Sequence, residues 1–455
     1  DGYELNTRAA SPDTVVGGLA GVAGTAVFQA ATSKAVEAGS AQQAKTVELQ
    51  TTRGTVTQAT DATADLSAAN LVLRGGAAYE LQRGGNTVTT LAADSGAGVI
   101  HYVNQGDLSL ARVADASLPS QQALQDGMAL SRSGAVWVRS GGTLTVADSV
   151  AMQTTTLGLQ AAGSVTQTGG GSIAADALGA KAQAGSVTLG SVNSVGTFAA
   201  SAAGSVYLRE ADGYAIAEVG PSPLTVSSGA NATASVVEKI TGVRAGTTIE
   251  LITQGGTVSQ TADVSAANLA LRGGAGYTLT RAGNAVGKLA SDAAAQPGNA
   301  NANGGDAGTV QYVNSGTLVL DGSFSLPSGI ALPQDTATAR TGDVWVRALA
   351  GATAGDITVA DKLTLNRLDA GKNVAALGLQ AAGSVLQAAD GATTSDAIST
   401  GHLAVRAQGG DVLLRSQRNE VGKFTAQALQ GHVLLRESDG YELNTRAASP
   451  DTVVG

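Results

Sequence analysis

Short stretches of alternating apolar and polar residues recur along the chain: TVTQ at 55–58, NLVLR at 70–74, VWVR at 136–139, SVYLRE at 205–210 and TIELI at 248–252. Alternation with period two marks a β-strand with one buried face. Clusters of Gly, Asn, Asp and Ser separate these stretches, and those residues supply turns. No long 3.6-residue periodicity appears. The best helical candidate is 27–45, VFQAATSKAVEAGSAQQAK, which is Ala-rich but interrupted by Gly39.

The strands repeat in a fixed order. G-x-V-x-Q occurs four times, ending at Gln58, Gln167, Gln260 and Gln387. N-x-V-x-x-(L/F) follows each time, beginning at Asn86, Asn193, Asn284 and Asn419, and G-x-(V/I) then follows at Gly98, Gly204, Gly308 and Gly431. Above these quarters lies a duplication. SAANLVLRGG at 67–76 answers SAANLALRGG at 265–274, YVN at 102–104 answers 312–314, VWVR at 136–139 answers 344–347, and LGLQAAGSV at 157–165 answers 377–385. Above that again, DGYELNTRAASPDTVVG opens the sequence at 1–17 and closes it at 439–455, letter for letter. Identity of that length implies a 438-residue unit repeated head to tail, so the chain divides into halves 1–211 and 212–438, with 439–455 opening the next unit. Fixed-period repetition is the signature of an array fold.

Short, evenly spaced strands in such an array predict an all-β chain, a parallel β-helix (β-solenoid) of stacked coils that continues beyond both ends. With ~20–24 residues per coil and ~4.8 Å between coils, one unit would give roughly 20 coils and ~90–105 Å of rod. Asn86, Asn193, Asn284 and Asn419 are then expected either to form a ladder of side-chain amides or to hold left-handed turns. A lone unit would expose two sheet edges and is expected to aggregate or stack end to end.

Composition sharpens this picture. The chain has 61 glycines and 3% aromatic, 14% charged and 43% apolar residues, which fits neither disorder nor a compact core of large aromatic side chains. It contains no cysteine, so disulfides and thiolate metal sites are excluded. A net charge of −9 argues against nucleic acid or anionic membrane as partners. No apolar run reaches the ~18–20 residues of a membrane span. No signal peptide opens the sequence, and any secretion signal is expected upstream.

Two strings carry a family resemblance: NSVGTFAASAAGSVYLREADGYAIAEVG at 193–220 and NEVGKFTAQALQGHVLLRESDGYELNT at 419–445. The pattern N-x-V-G-x-(L/F)-x-A, then G-x-V-x-(L/F), then a D-G turn resembles the filamentous-haemagglutinin type of bacterial exoprotein. That resemblance implies a right-handed β-helical rod, secreted by a two-partner system and held extracellularly at the cell surface. The family's secretion domain and toxin module are not visible in these residues.

Candidate chemistry is sparse. His101, His402 and His432 have no second His or acidic residue at metal-ligand spacing, and His101 and His432 read as outward-facing strand residues. GGLAGVAG at 17–24 lacks the Lys of a phosphate loop, and NGGDAG at 303–308 has one carboxylate where calcium needs several. No catalytic residue, metal or cofactor is expected, and an enzyme would gain little from near-perfect tandem copies of itself. In VWVR the valines share one face, so Trp137 with Arg139, and Trp345 with Arg347, share the other. Exposed, these pairs would suit a sugar ring or a neighbouring fibre; otherwise the loops 118–126 and 326–335 would cover the rings. Two functions follow. One is a structural filament whose partners are neighbouring copies end to end or other fibres side by side. The other is an adhesin whose repeats bind glycan or a cell surface.

Overall fold

The computed structural model of the chain describes residues 3–5, 27–30, 46–50, 54–58, 65–76, 78–94, 96–114, 117, 123–124, 128–152, 154–220, 239–293, 308–332, 335–388 and 396–444. Among the described residues there is no α-helix, and the strands are joined almost throughout in parallel, each to a strand about one coil away. The all-β parallel solenoid expected from the alternation is the fold observed. Of the helical candidate, Val27–Ala30 is a strand, antiparallel to Thr46–Gln50. The remainder, 31–45, lies outside the described residues, as do GGLAGVAG and all of NGGDAG except Gly308. The chain forms two units, Asp1–Ala203 with Glu218–Thr241, and Gly204–Ala217 with Gly242–Gly455.

In the first unit one column of strands stacks Tyr3, Val56, Tyr79, Ile100, Val136, Leu157, Leu178 and Phe198 in register. From Val56 onward every one of these side chains is fully buried. Apolar residues two apart point to the same side of a strand, so each rung adds a second core residue, as Tyr102 follows Ile100 and Val138 follows Val136. The second unit repeats the column with Val258, Tyr277, Val310, Val344, Leu377, Leu403 and Phe424. Some strands wrap a corner. Ile173–Ala182 pairs first with Ser149–Ala151 and then with Thr156–Ala161.

Coil length departs from the uniform ~20–24 residues expected for a regular stack. Leu157 to Leu178 to Phe198 is a regular advance of 21 and then 20 residues. Ile100 to Val136 takes 36, and Tyr277 to Val310 takes 33. Insertions of that size between rungs are tolerated where connections run outside the sheet. Tight corners use glycine: in G-x-V-x-Q, Gly54 and Gly256 adopt φ of 82° and 73°, a region costly for residues with a Cβ.

Candidate functional site

The two motifs that recur four times meet in space. Each Gln of G-x-V-x-Q pairs with the Asn that opens N-x-V one coil later. Gln58 Nε2 donates to Asn86 Oδ1 (2.8 Å), Gln167 to Asn193 (2.7 Å), Gln260 to Asn284 (2.8 Å) and Gln387 to Asn419 (2.9 Å). Each Asn Nδ2 donates back to the Gln Oε1, at 3.1, 3.4, 2.8 and 3.2 Å respectively. Every Asn Oδ1 also accepts a backbone N–H, from Leu66, Ile173, Val264 or Ile398. All four asparagines are buried. They do not stack on one another as an asparagine ladder would; each closes a separate amide pair with a glutamine and satisfies backbone groups at a corner where the strand ladder is interrupted.

The YVN motifs do related work. Tyr102 and Tyr312 each donate a hydroxyl to Oδ1 of Asn104 or Asn314 (2.9 Å in both), which also accepts the N–H of Val88 or Val286. Burial pushes both phenols well above their ordinary pKa, so they remain hydrogen-bond donors.

Trp137 and Trp345 stand on the outward face of their strands, but neither is open to solvent: they are 7% and 2% exposed. Trp137 packs with Val103, Ala199, Val219 and Ile240, the last two from the antiparallel pair Glu218–Val219 and Ile240–Thr241. Trp345 packs with Val313, Ala376 and Leu349. Each ring lies over a glycine of the next coil, Gly158 or Gly378, its strand partner. Exposed aromatic contacts at these positions are therefore overturned. Arg139 is buried and Arg347 half-buried, and burial lowers the Arg139 pKa.

The preceding loops cover another site. Arg272 bridges Glu250 (2.8 Å) and Asp292 (3.4 Å), all three nearly inaccessible. Ser328 N and Oγ both donate to Glu250, and Arg272 donates to the Ile330 carbonyl, so Ser328 and Ile330 of the preceding loop sit on this triad. The first unit has the matching set, Glu48, Arg74 and Asp94, and Leu124 of its loop packs on Val72 and Ala92 beside it. No local motif in the sequence marks Glu48–Arg74–Asp94 or Glu250–Arg272–Asp292, although each step is about one coil. Buried charges are costly unless paired, and that cost explains the recurrence of the whole set.

His101 is also buried, its Nδ1 2.7 Å from Glu80 Oε2 one coil away, whereas His432 is exposed and His402 half-buried. His432 is exposed but precedes the strand Val433–Leu435 rather than lying in it, and His101 lies on a strand between the core residues Ile100 and Tyr102 but is covered. Among the described residues no group of three or more His, Asp or Glu is placed to hold a metal ion. No protein-family model, curated protein or solved structure matches the chain. The arrangement of side chains closes hydrogen-bond valences and buries charge between coils.

Proposed function

We propose that this chain is a structural repeat of a long extracellular bacterial filament, a stalk, tether or matrix cable assembled from head-to-tail units. The observation that carries this reading is the behaviour of one repeated strand. Tyr3–Leu5 lies in parallel on Thr55–Gln58, with Leu5 opposite Gln58. Its identical copy, Glu442–Leu443, lies in parallel on Glu420–Ala428, with Leu443 opposite Phe424. The same strand thus accepts a rung on either side, which supports one β-stack running through the boundary between units. An array of that kind gains stability from each coil and its neighbours.

The adhesin reading relied on Trp137 and Trp345 as contact residues. Both rings are buried, so no observation favours it over the filament. Electron cryo-microscopy of the native full-length product tests the proposal. A continuous rod with ~4.8 Å between rungs, and an axial repeat shorter than uniform coils would give, is expected. Beads one unit long on flexible linkers would sink it.

A further inference from the structure

Lys288, Asp321 and Asp361 stand on three successive coils of the second unit. Leu289 and Leu320 are strand partners, and so are Leu320 and Val359; Lys288 and Asp321 flank the first pair, and Asp361 lies two residues beyond the second. Lys288 Nζ is 2.6 Å from Asp321 Oδ2. Asp321 Oδ1 accepts the Ser323 N–H (2.6 Å) and hydroxyl (2.5 Å). Asp361 Oδ2 accepts the Gly322 N–H (2.8 Å), and its carboxyl is within hydrogen-bonding reach of the Asp321 carboxyl. Both acids are buried, and Lys288 is half-buried. Burial pushes the Asp361 carboxyl above its ordinary pKa, and Asp321 alongside adds to this. Burial also works against the charge on Asp321, but Lys288 and Ser323 outweigh it and hold that carboxyl below its ordinary value.

The first unit has the same frame without this set. Asp148 takes the place of Asp361 and accepts the Arg112 N–H, also at 2.8 Å. Ala111 N donates to Leu91 O as Asp321 N donates to Leu289 O. Thr90, Ala111 and Val113 occupy the positions of Lys288, Asp321 and Ser323. The second unit therefore adds an amine, a carboxyl and a hydroxyl around an acid that both units hold. An ion pair needs only the first two. A neighbouring acid that keeps its proton, and two donors fixed on Oδ1, complete the groups that acyl transfer uses.

We propose that Lys288 and Asp321 join through an amide bond between Nζ and Cγ, formed by the chain itself. Within the ion pair a proton passes from Nζ to Asp321 Oδ2, leaving an amine beside a carboxylic acid. The Nζ lone pair attacks Cγ, and the negative charge that develops on Oδ1 meets the Ser323 N–H and hydroxyl. Asp361 gives its proton to Oδ2, the Cγ–Oδ2 bond breaks and water leaves. Asp361 then takes a proton back from the new amide nitrogen. One ammonium and one carboxylate become one amide and one water, and nothing else is consumed. Amide formation in water is unfavourable between separate molecules, but well-oriented groups in one molecule reach effective molarities of ~10⁵–10⁸ M. The bond ties two successive coils covalently. It is independent of the filament reading, although it suits a chain that carries tension.

Intact-mass spectrometry of the full chain tests this. The mass should be one water below that of the sequence, and Lys288→Arg, which keeps the ion pair, should restore the full mass. Peptide mapping should show no tryptic cleavage after Lys288 and a branched peptide that joins it to Asp321. Asp361→Asn should leave most of the chain without the cross-link, and Ser323→Ala should slow its formation. A parent chain still at full mass after days at neutral pH overturns the bond. Loss of water that persists in Lys288→Arg marks a succinimide at Asp321–Gly322 and overturns it as well. A branched peptide that forms as fully in Asp361→Asn overturns the role given to Asp361. None of these readings depends on whether the native product is a rod or a string of beads.

Discussion

The glycines beneath the two tryptophans give the sharpest test of the packing. A Cβ added at Gly158 would lie 1.8 Å from Trp137 Cε3 and 2.3 Å from Cζ3. Carbon atoms in contact sit ~3.5–4.0 Å apart, so the ring would have to move by about 2 Å. Val103, Ala199, Val219 and Ile240 surround it and leave little room. Overpacking a core costs ~1–3 kcal/mol. Replacing a strand glycine recovers ~0.5–1 kcal/mol, so Gly158→Ala should destabilise by about 1–2 kcal/mol and push the indole toward solvent. With only two tryptophans in the chain, a Trp345→Phe background makes Trp137 the sole tryptophan, read by selective excitation at the red edge of the indole band. Its emission should shift to the red and become easier to quench, with a lower urea midpoint. Trp137→Val in the same chain should relieve the clash, so that the double variant is more stable than the sum of the single losses by about 1–2 kcal/mol. An unchanged spectrum and midpoint, or strictly additive losses, would refute the reasoning. Gly378→Ala beneath Trp345, with a Cβ 2.1 Å from Cε3, should behave alike.

Arg272→Met should cost about 3–5 kcal/mol, because Glu250 and Asp292 would be left buried without their cation; it should also release the loop at Ser328 and Ile330, seen as faster limited proteolysis there. Burial pushes the Glu437 carboxyl up to about 7, against the pull of the Val421 amide. The folded chain therefore holds this proton more tightly than the unfolded chain, whose value is near 4.5. Its contribution to stability is fully present below about 4.5 and lost as pH rises through about 7, so urea midpoints should fall across that window, less steeply in Glu437→Gln. Tyr102→Phe removes the hydroxyl donated to Asn104 and should cost about 1 kcal/mol by chemical denaturation, since Asn104 Oδ1 keeps the Val88 amide.

The solenoid was legible because alternation and repetition agree, and the inward residues at Val136, Leu157 and Leu178 are those that the period of two selects. Contacts across coils were harder to read, because they depend on coil length and coil length varies. Gln260 reaches Asn284 over 24 residues, but Gln387 reaches Asn419 over 32. No single offset reveals the pairs, even though both motifs recur four times. The tryptophans were correctly placed on the outward face. Outward did not mean exposed, since distant residues such as Val219 and Ile240 close over Trp137. The recurrence of LGLQ beside VWVR was the available signal, because only glycine leaves room beneath the ring. At 27–30 the residues Val, Phe, Gln and Ala form a strand, and Val and Phe suit one; the helical expectation there rested on the Ala-rich remainder at 31–45.

The amide pairs also make a prediction that separates two reasons for burying them. If Gln260 and Asn284 merely satisfied each other, replacing both with leucine would be close to neutral, as it is for many isolated buried polar pairs. Here each also serves the backbone. Asn284 accepts the Val264 N–H (2.9 Å) and donates to the carbonyls of Leu279 and Val313 (3.1 Å each), and Gln260 Nε2 donates to Ala262 O (2.7 Å). The double replacement would orphan these groups at a corner with no strand partner to take them. Each buried polar group left unpaired costs ~1–3 kcal/mol, so Asn284→Leu should lose about 2–4 kcal/mol, and adding Gln260→Leu should recover none of it. Amide hydrogen exchange would locate the loss, with Val264 the first protected position to open. A double variant as stable as the parent would mean that the turn closes without them. The repeated Gln and Asn would then have to be explained by register alone, since a one-residue slip of a strand would leave every such pair facing an aliphatic neighbour.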